Sequence, residues 1–145
     1  MKLSTKTRYG LRILIQIALS CDQRKAVKGK FIAAKQDISE AYLEQIMIPL
    51  KNADIIRTLR GCNGGYALKR QPEEITVLDI IELFEGKVNL VKCVEDEKEC
   101  YRCSYCLANR VWGKLADSLR KEAGAITLDQ LISEAKTMNT PEYVI

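Results

Sequence analysis

Cys93, Cys100, Cys103 and Cys106 fall within fourteen residues of a chain that contains no histidine. Thiolates are soft ligands, and four so close together form the donor set of an iron–sulfur cluster or a closed zinc site. The pairs Cys100-x-x-Cys103 and Cys103-x-x-Cys106 have zinc-like spacing, although zinc more often takes two separated pairs that share no cysteine. Enzyme chemistry has little to build on. There is no imidazole for proton transfer, and no phosphate loop or nucleophile motif. Cys21 and Cys62 stand apart from the group, Cys21 as filler of core or surface and Cys62 as a tolerated residue of a turn.

The distribution of charge points to a second kind of chemistry. Residues 1–70 carry 14 Lys and Arg against 5 Asp and Glu, whereas residues 71–145 carry 9 against 14. A basic front half is the electrostatic footprint of a polyanion partner, because neutralised phosphates release counterions. Lysine-rich faces are also simply solvated, so the charge excess needs support from local pattern. A chain of 145 residues with 47% apolar and 29% charged content is one soluble globular domain, or a small domain with an appendage. No apolar run approaches the ~18 residues of a membrane span. Lys2 and Lys6 lead into Arg8 and Arg12 rather than into the apolar core of a signal peptide. The expectation is a cytoplasmic protein with no membrane partner. Six cysteines there serve as thiols, metal ligands or redox sensors rather than structural disulfides.

Both sets of residues need elements to hold them. Ser4 is placed to cap a first helix reaching about Ser20, with Leu11, Leu14, Ile15, Ala18 and Leu19 on one apolar face. A polar stretch over 21–29 breaks the pattern. Residues 31–36 form a helical turn or two, 37–39 a tight turn, and Ser39 caps a helix over 40–53. Leu43, Ile46, Met47 and Leu50 make its buried stripe, and Pro49 is expected to bend it. Two short helices joined by a tight turn are a helix-turn-helix candidate. Residues 55–59 and 66–68 then read as a hairpin around a glycine-rich turn. Arg60 beside Gly64 and Gly65 brings guanidinium and backbone within reach of a phosphate or a minor groove; an ordinary hairpin turn explains the glycines equally well. Thr76 and Asp79 open a helix carrying Ile80, Ile81, Leu83 and Phe84, and Gly86 ends it. Beyond the cysteines, Leu107, Val111, Trp112, Leu115 and Leu119 are helix-spaced over 107–122. That stripe is buried either against a second subunit or against its own domain. Gly124 stops the helix, and Thr127 to Gln130 is a capping box for a last short one.

Three segments carry a resemblance. Lys2-Leu3-Ser4-Thr5-Lys6 with Arg8-Tyr9-Gly10, then Tyr42-Leu43-Glu44-Gln45, then Arg60-Gly61-Cys62-Asn63-Gly64-Gly65-Tyr66 are similar to the Rrf-two family of bacterial transcription regulators. The resemblance covers Met1 to about Leu131. It implies a mainly α fold, a winged helix-turn-helix with a two-stranded wing plus a long C-terminal dimerisation helix. Residues 1–72 would be the DNA-binding domain, and 73–145 the cluster-binding loop (93–106) with a helical dimerisation region. The implied partners are double-stranded DNA bearing a palindromic operator and a second copy of the chain. Carried over, the recognition helix begins near Ser39 and turns Ala41, Tyr42, Glu44 and Gln45 to the groove. These positions avoid the Leu43-Ile46-Met47-Leu50 stripe, though Tyr42 is as well placed for core packing. Gln45 can read adenine bidentately and Glu44 can accept from a cytosine amine. Arg60 would enter the minor groove, while Lys2, Thr5, Lys6 and Arg8 would hold phosphates.

The segment from Cys93 through Cys106-Leu107-Ala108-Asn109-Arg110-Val111-Trp112 resembles the cluster-binding segment of the IscR-like branch. Cys93, Cys100 and Cys106 map onto its three cysteines. The first spacing is one residue longer, and Asn109 stands where that branch has a histidine ligand. The fourth site therefore falls to Cys103, to a group of the other subunit, or to a small molecule. The implied cofactor is an iron–sulfur cluster, 2Fe–2S in preference to 4Fe–4S. The alternative is a thiol-switch regulator of the CymR type that binds zinc or no cofactor, or is regulated through a partner protein.

Overall fold

Serine caps open the first and third helices of the front half where their sequence positions suggest. The computed structural model describes residues 2–20 and 26–138; Cys21 and the tail beyond Met138 lie outside the described residues. Ser4 Oγ accepts from the Thr7 N–H at 3.2 Å and starts α1, Thr5–Ser20. A second helix, α2, spans Gly29–Gln36, two residues longer at its start than expected, and ends at Asp37 in the left-handed region (φ 52°). Ser39 Oγ then accepts from the Tyr42 N–H at 3.1 Å, and α3 runs over Glu40–Asn52, passing through Pro49. A cap of this kind contributes about 1 kcal/mol. The buried face of α3 is Leu43, Ile46, Met47 and Leu50, as the periodicity predicts.

Strands β1, Ile56–Leu59, and β2, Gly65–Leu68, pair antiparallel with Ile56 opposite Leu68 and Leu59 opposite Gly65. The hairpin has a third edge that periodicity misses. Val27, inside the stretch read as merely polar, exchanges both backbone hydrogen bonds with Tyr66 at 2.8 Å. Gly65 makes this approach possible. Its φ is 151°, and a Cβ there would meet the Val27 carbonyl oxygen at 2.3 Å.

Helix α1 sits at the centre, packed by α2, α3 and β2 and, from the C-terminal half, by two helices defined below. It is therefore buried on more than the one face expected. Ile13 and Ile17 are fully buried along with Leu14 and Ile15, while Leu11, Ala18 and Leu19 are only half-buried. A helix surrounded by neighbours needs apolar residues around most of its circumference, and a single-stripe reading undercounts them. The first of the C-terminal neighbours, α4, Val77–Glu85, is opened by the Thr76–Asp79 capping box and closed at Gly86. It crosses α1 at Gly10, where a Cβ would lie 2.6 Å from the Phe84 ring.

A four-residue helix, α5 (Lys92–Glu95), and two short 3-10 turns (Glu97–Glu99 and Cys103–Tyr105) lead into α6, Leu107–Ala125. The expected stop at Gly124 does not occur. The chain leaves the helix at Ile126, where Val77 N–H donates to the Ile126 carbonyl at 2.9 Å and Leu128 N–H to Ile75 at 2.8 Å. A tertiary bridge, rather than the local glycine, sets that terminus. Helix α7, Leu128–Thr137, begins with the expected capping box at Thr127 and Gln130 and is the second C-terminal helix that packs on α1. The described residues are thus mainly helical with one two-stranded sheet, as expected. None of their helices is long and apolar enough to cross a membrane.

Candidate nucleic-acid interface and cysteine loop

Helix α3 presents two faces of opposite character. Against its buried stripe, Ala41, Glu44 and Gln45 are exposed at i, i+3 and i+4 spacing. Ile48 continues that exposed row at i+7 and is 54% exposed, an apolar member that the sequence reading passed over. Its signal was available, since it is one turn beyond Glu44 and off the buried stripe. Tyr42 is half-buried and packs against the core, with its ring edge-on to Tyr9 at 6.0 Å and 89°. Arg12 stacks on the other partner of that pair, 4.9 Å from the Tyr9 centroid. The aromatic contact brings the first turns of α1 and α3 together.

Lys2, Thr5, Lys6 and Arg8 are all exposed at the start of α1, beside the start of α3. Arg8 Nη2 donates to Thr5 Oγ1 at 3.3 Å. The Ser39 hydroxyl is committed to its cap as acceptor but keeps its proton to donate. Beside these residues lies a link that no sequence pattern signalled, because it joins residues 81 apart. Glu85, the last residue of α4, accepts from the Ser4 N–H at 2.8 Å and from the Thr7 hydroxyl. The Ser4 and Thr7 hydroxyls and the Ser4 amide hold its carboxyl below the usual range.

A side-chain contact joins the wing to the exposed face of α3. Tyr66 OH donates to Glu44 Oε1 at 2.5 Å. Partial burial, then the hydrogen bond and negative charge of Glu44, push the Tyr66 phenol up to about 12. Arg60 is exposed where β1 ends, and Arg57 is exposed within β1. Gly64 is required by the turn itself, where a Cβ would lie 2.4 Å from the Leu59 carbonyl oxygen, and Gly65 by the approach of Val27. That geometry accounts for the glycines without a ligand.

The four clustered cysteines lie on one loop between α4 and α6, each half-buried and none in a disulfide. Cys93 is in α5, Cys100 follows one 3-10 turn, Cys103 opens the next, and Cys106 caps α6 by accepting from the Asn109 N–H at 3.4 Å. Cys103 is the node. Its Sγ donates to the Cys93 carbonyl at 3.5 Å, and burial followed by the proximity of the Cys100 and Cys93 thiols pushes its thiol up. Like charges crowded together disfavour ionisation, and a bound cation reverses that balance. Asn109 Nδ2 donates to the Cys93 carbonyl at 2.8 Å and lies 3.9 Å from Cys103 Sγ. The asparagine is thus built into the loop, tying α5 to the first turn of α6. Among the described residues, no three His, Cys, Asp or Glu side chains are gathered into a ready-made metal cradle. The donor chemistry suits a thiolate-bound centre; the spacing requires the loop to draw in around it.

Helix α6 carries its apolar stripe in two parts. Leu119 is half-buried against Ile81, Val88 and Ala123, inside its own chain. Leu107, Val111, Trp112 and Leu115 are exposed, Leu107 by 74% and Leu115 by 48%. Arg120 fixes the helix to the preceding segment through the Val88 carbonyl at 2.6 Å and Asn89 Oδ1 at 3.0 Å.

Comparison with known proteins agrees with this fold. Residues 3–134 match the family described as Rrf2, iron-dependent transcriptional regulator. The chain is similar to the HTH-type transcriptional regulator CymR of Bacillus subtilis (strain 168), 38% identical over 137 residues that cover 92% of this chain and 91% of that protein. The solved structure of CymR, the global cysteine regulator of B. subtilis, superposes with a TM-score of 0.76 at 36% identity, covering 92% of this chain and 98% of that one. The structure of T. potens IscR gives a TM-score of 0.76 at 30% identity, covering 97% and 92%.

Proposed function

The chain belongs to the Rrf2 family of transcriptional regulators, and on that premise we propose that it is a homodimeric, cytoplasmic regulator whose cysteine loop binds an iron–sulfur cluster. DNA binding and a regulatory rather than enzymatic role follow from the family. The finer reading rests on one observation: four half-buried thiols on a single loop, Cys103 beside Cys93 and Cys100, placed directly before α6. Cys93, Cys100 and Cys106 would ligate, with Cys103 as fourth ligand in the position left open by Asn109. When bound, such a cluster supplies a reversible electron or ligand-exchange reporter of iron, oxygen or nitric oxide. What the chain's residues do is hold and transmit. Asn109 fixes the Cys93 backbone against α6, and α6 is clamped by Arg120 to the segment following α4. Helix α4 in turn anchors the start of α1 through Glu85. A change in loop order therefore has a covalent and hydrogen-bonded route to the phosphate-facing end of α1.

At the DNA, α3 would lie in the major groove with Gln45 and Glu44 on base edges, Arg60 in the minor groove, and Lys2, Thr5, Lys6 and Arg8 on phosphates. The exposed Leu107, Val111, Trp112 and Leu115 stripe would form the dimer seam, giving two recognition helices and a roughly palindromic site.

A second reading has a specific observation in its favour. The identity to CymR is higher than that to the IscR structure, and three adjacent thiols also suit a thiol–disulfide or zinc switch. Anaerobic purification with an absorption spectrum and iron, sulfide and zinc quantitation separates the two. A brown protein with iron and sulfide near stoichiometry is expected. A colourless protein, with stoichiometric zinc or with no metal, sinks the cluster reading in favour of the switch.

A further inference from the structure

Tyr66 is unusually well fixed for a residue on a wing. Its backbone N–H and C=O are both engaged by Val27, and it stands opposite Thr58 in the register of the hairpin. Its ring lies against Gly29 at the start of α2, where a Cβ would come within 3.2 Å of Cε2. The phenol therefore reaches α3 from a rigid mount, and among the described residues its hydrogen bond goes to Oε1 of Glu44. Glu44 is exposed on the same face as Ala41 and Gln45. A carboxylate has about four lone-pair sites on two oxygens, so one donor leaves the other oxygen available.

We propose that Tyr66 is a positioning residue for sequence discrimination: its hydroxyl holds one oxygen of Glu44 so that the other meets an amine-bearing base edge. This rests on the reading that α3 occupies the major groove. Without the tyrosine, an exposed glutamate samples several rotamers and repels phosphate from whichever it adopts. With it, the carboxylate accepts from the exocyclic amine of cytosine or adenine and penalises guanine O6 or thymine O4 at that place. The tyrosine donates across the physiological range, since its proton is held well above neutrality.

The polarity of the contact makes the idea testable. Tyr66 is a donor, so in Glu44→Gln the amide oxygen must face it and the NH2 must face the groove. The full-length protein and the variants Glu44→Ala, Glu44→Gln, Tyr66→Phe and Glu44→Gln/Tyr66→Phe would each select from a randomised duplex DNA pool, with salt dependence of binding measured in parallel. Glu44→Ala and Tyr66→Phe are expected to flatten preference at the same base pair of each half-site by about tenfold, without changing the salt slope. Glu44→Gln is expected to switch that pair towards bases offering an acceptor, and the added Tyr66→Phe to abolish the switch. If Glu44→Ala flattens the preference and Tyr66→Phe leaves it intact, the positioning role is overturned while the groove assignment of α3 stands. If Tyr66→Phe weakens selected and random DNA equally, Tyr66 is only structural and the proposal falls. If Glu44→Ala changes no preference, Glu44 reads no base and the proposal falls with it, the groove assignment then resting on Gln45 and Arg60.

Discussion

Single side chains here do their work through fixed partners, and two of them give sharp expectations. Glu85 binds the start of α1, and its carboxyl is held below the usual range by Ser4 and Thr7. A depressed carboxylate adds stability above its unfolded pKa and loses it as pH falls through its folded value. Thermal unfolding of Glu85→Gln should therefore begin below wild type at pH 7, and the gap should close in acid below about pH 4. A gap that is constant with pH would show that the ionised carboxylate is not what binds α1. The second case is Cys103. As the node among the thiols it should be a ligand, so Cys103→Ser is expected to lower cluster content or shift the absorption spectrum after anaerobic purification. Unaltered content, spectrum and stability would assign the fourth position to the partner subunit or solvent.

At the scale of elements, the wing and α6 face different tests. The wing is joined to the body by the Val27–Tyr66 bridge, which exists because Gly65 has no side chain. Gly65→Ala should open that bridge and cost roughly 2 kcal/mol or more, given the positive φ and the backbone approach. Urea unfolding reads this directly, and a midpoint equal to wild type would mean that the bridge contributes nothing. Helix α6 shares its apolar residues between its own chain and solvent, Leu119 inward and Leu115 outward. Leu115→Asp would place an unpaired charge in the proposed seam, at a cost of several kcal/mol on the order expected for an uncompensated buried ion. Sedimentation should report monomer. A fully dimeric variant would place the seam elsewhere.

Across the whole molecule, charge and shape divide the labour. The basic front half carries α3 and the wing, the elements proposed to face DNA, and the acidic half carries the cysteine loop and α6. Binding should therefore be steeply salt-dependent. Lys6→Ala is expected to weaken operator and random DNA alike and reduce the slope of log K against log salt by about 1 per site. Gln45→Ala and Arg60→Ala should cost the operator about 1–3 kcal/mol each. Operator affinity unchanged in both, with the fold intact, would remove α3 and the wing from the interface.

Much of this molecule was legible in the order of its residues. The caps at Ser4, Ser39, Thr76 and Thr127 and the stripe of α3 follow from local chemistry within one or two helical turns, and local chemistry is what a sequence carries explicitly. The winged arrangement and the family were legible for the same reason, because their motifs are contiguous. What only the tertiary structure decided depends on residues far apart in the chain. Periodicity could not count the faces of α1 that neighbours would cover, so Ile13 and Ile17 were missed. Gly124 was read as a stop, but hydrogen bonds between Ile126 and Val77 and between Leu128 and Ile75 place the end of α6. Tyr66 ends the Arg60–Tyr66 segment with nothing local to show its role, and Glu85 has no local signal at all. Their contacts with Glu44, and with Ser4 and Thr7, span 22 to 81 residues. A hydrogen bond over such a distance depends on two backbones being brought together by packing, and no spacing rule within either segment encodes that meeting.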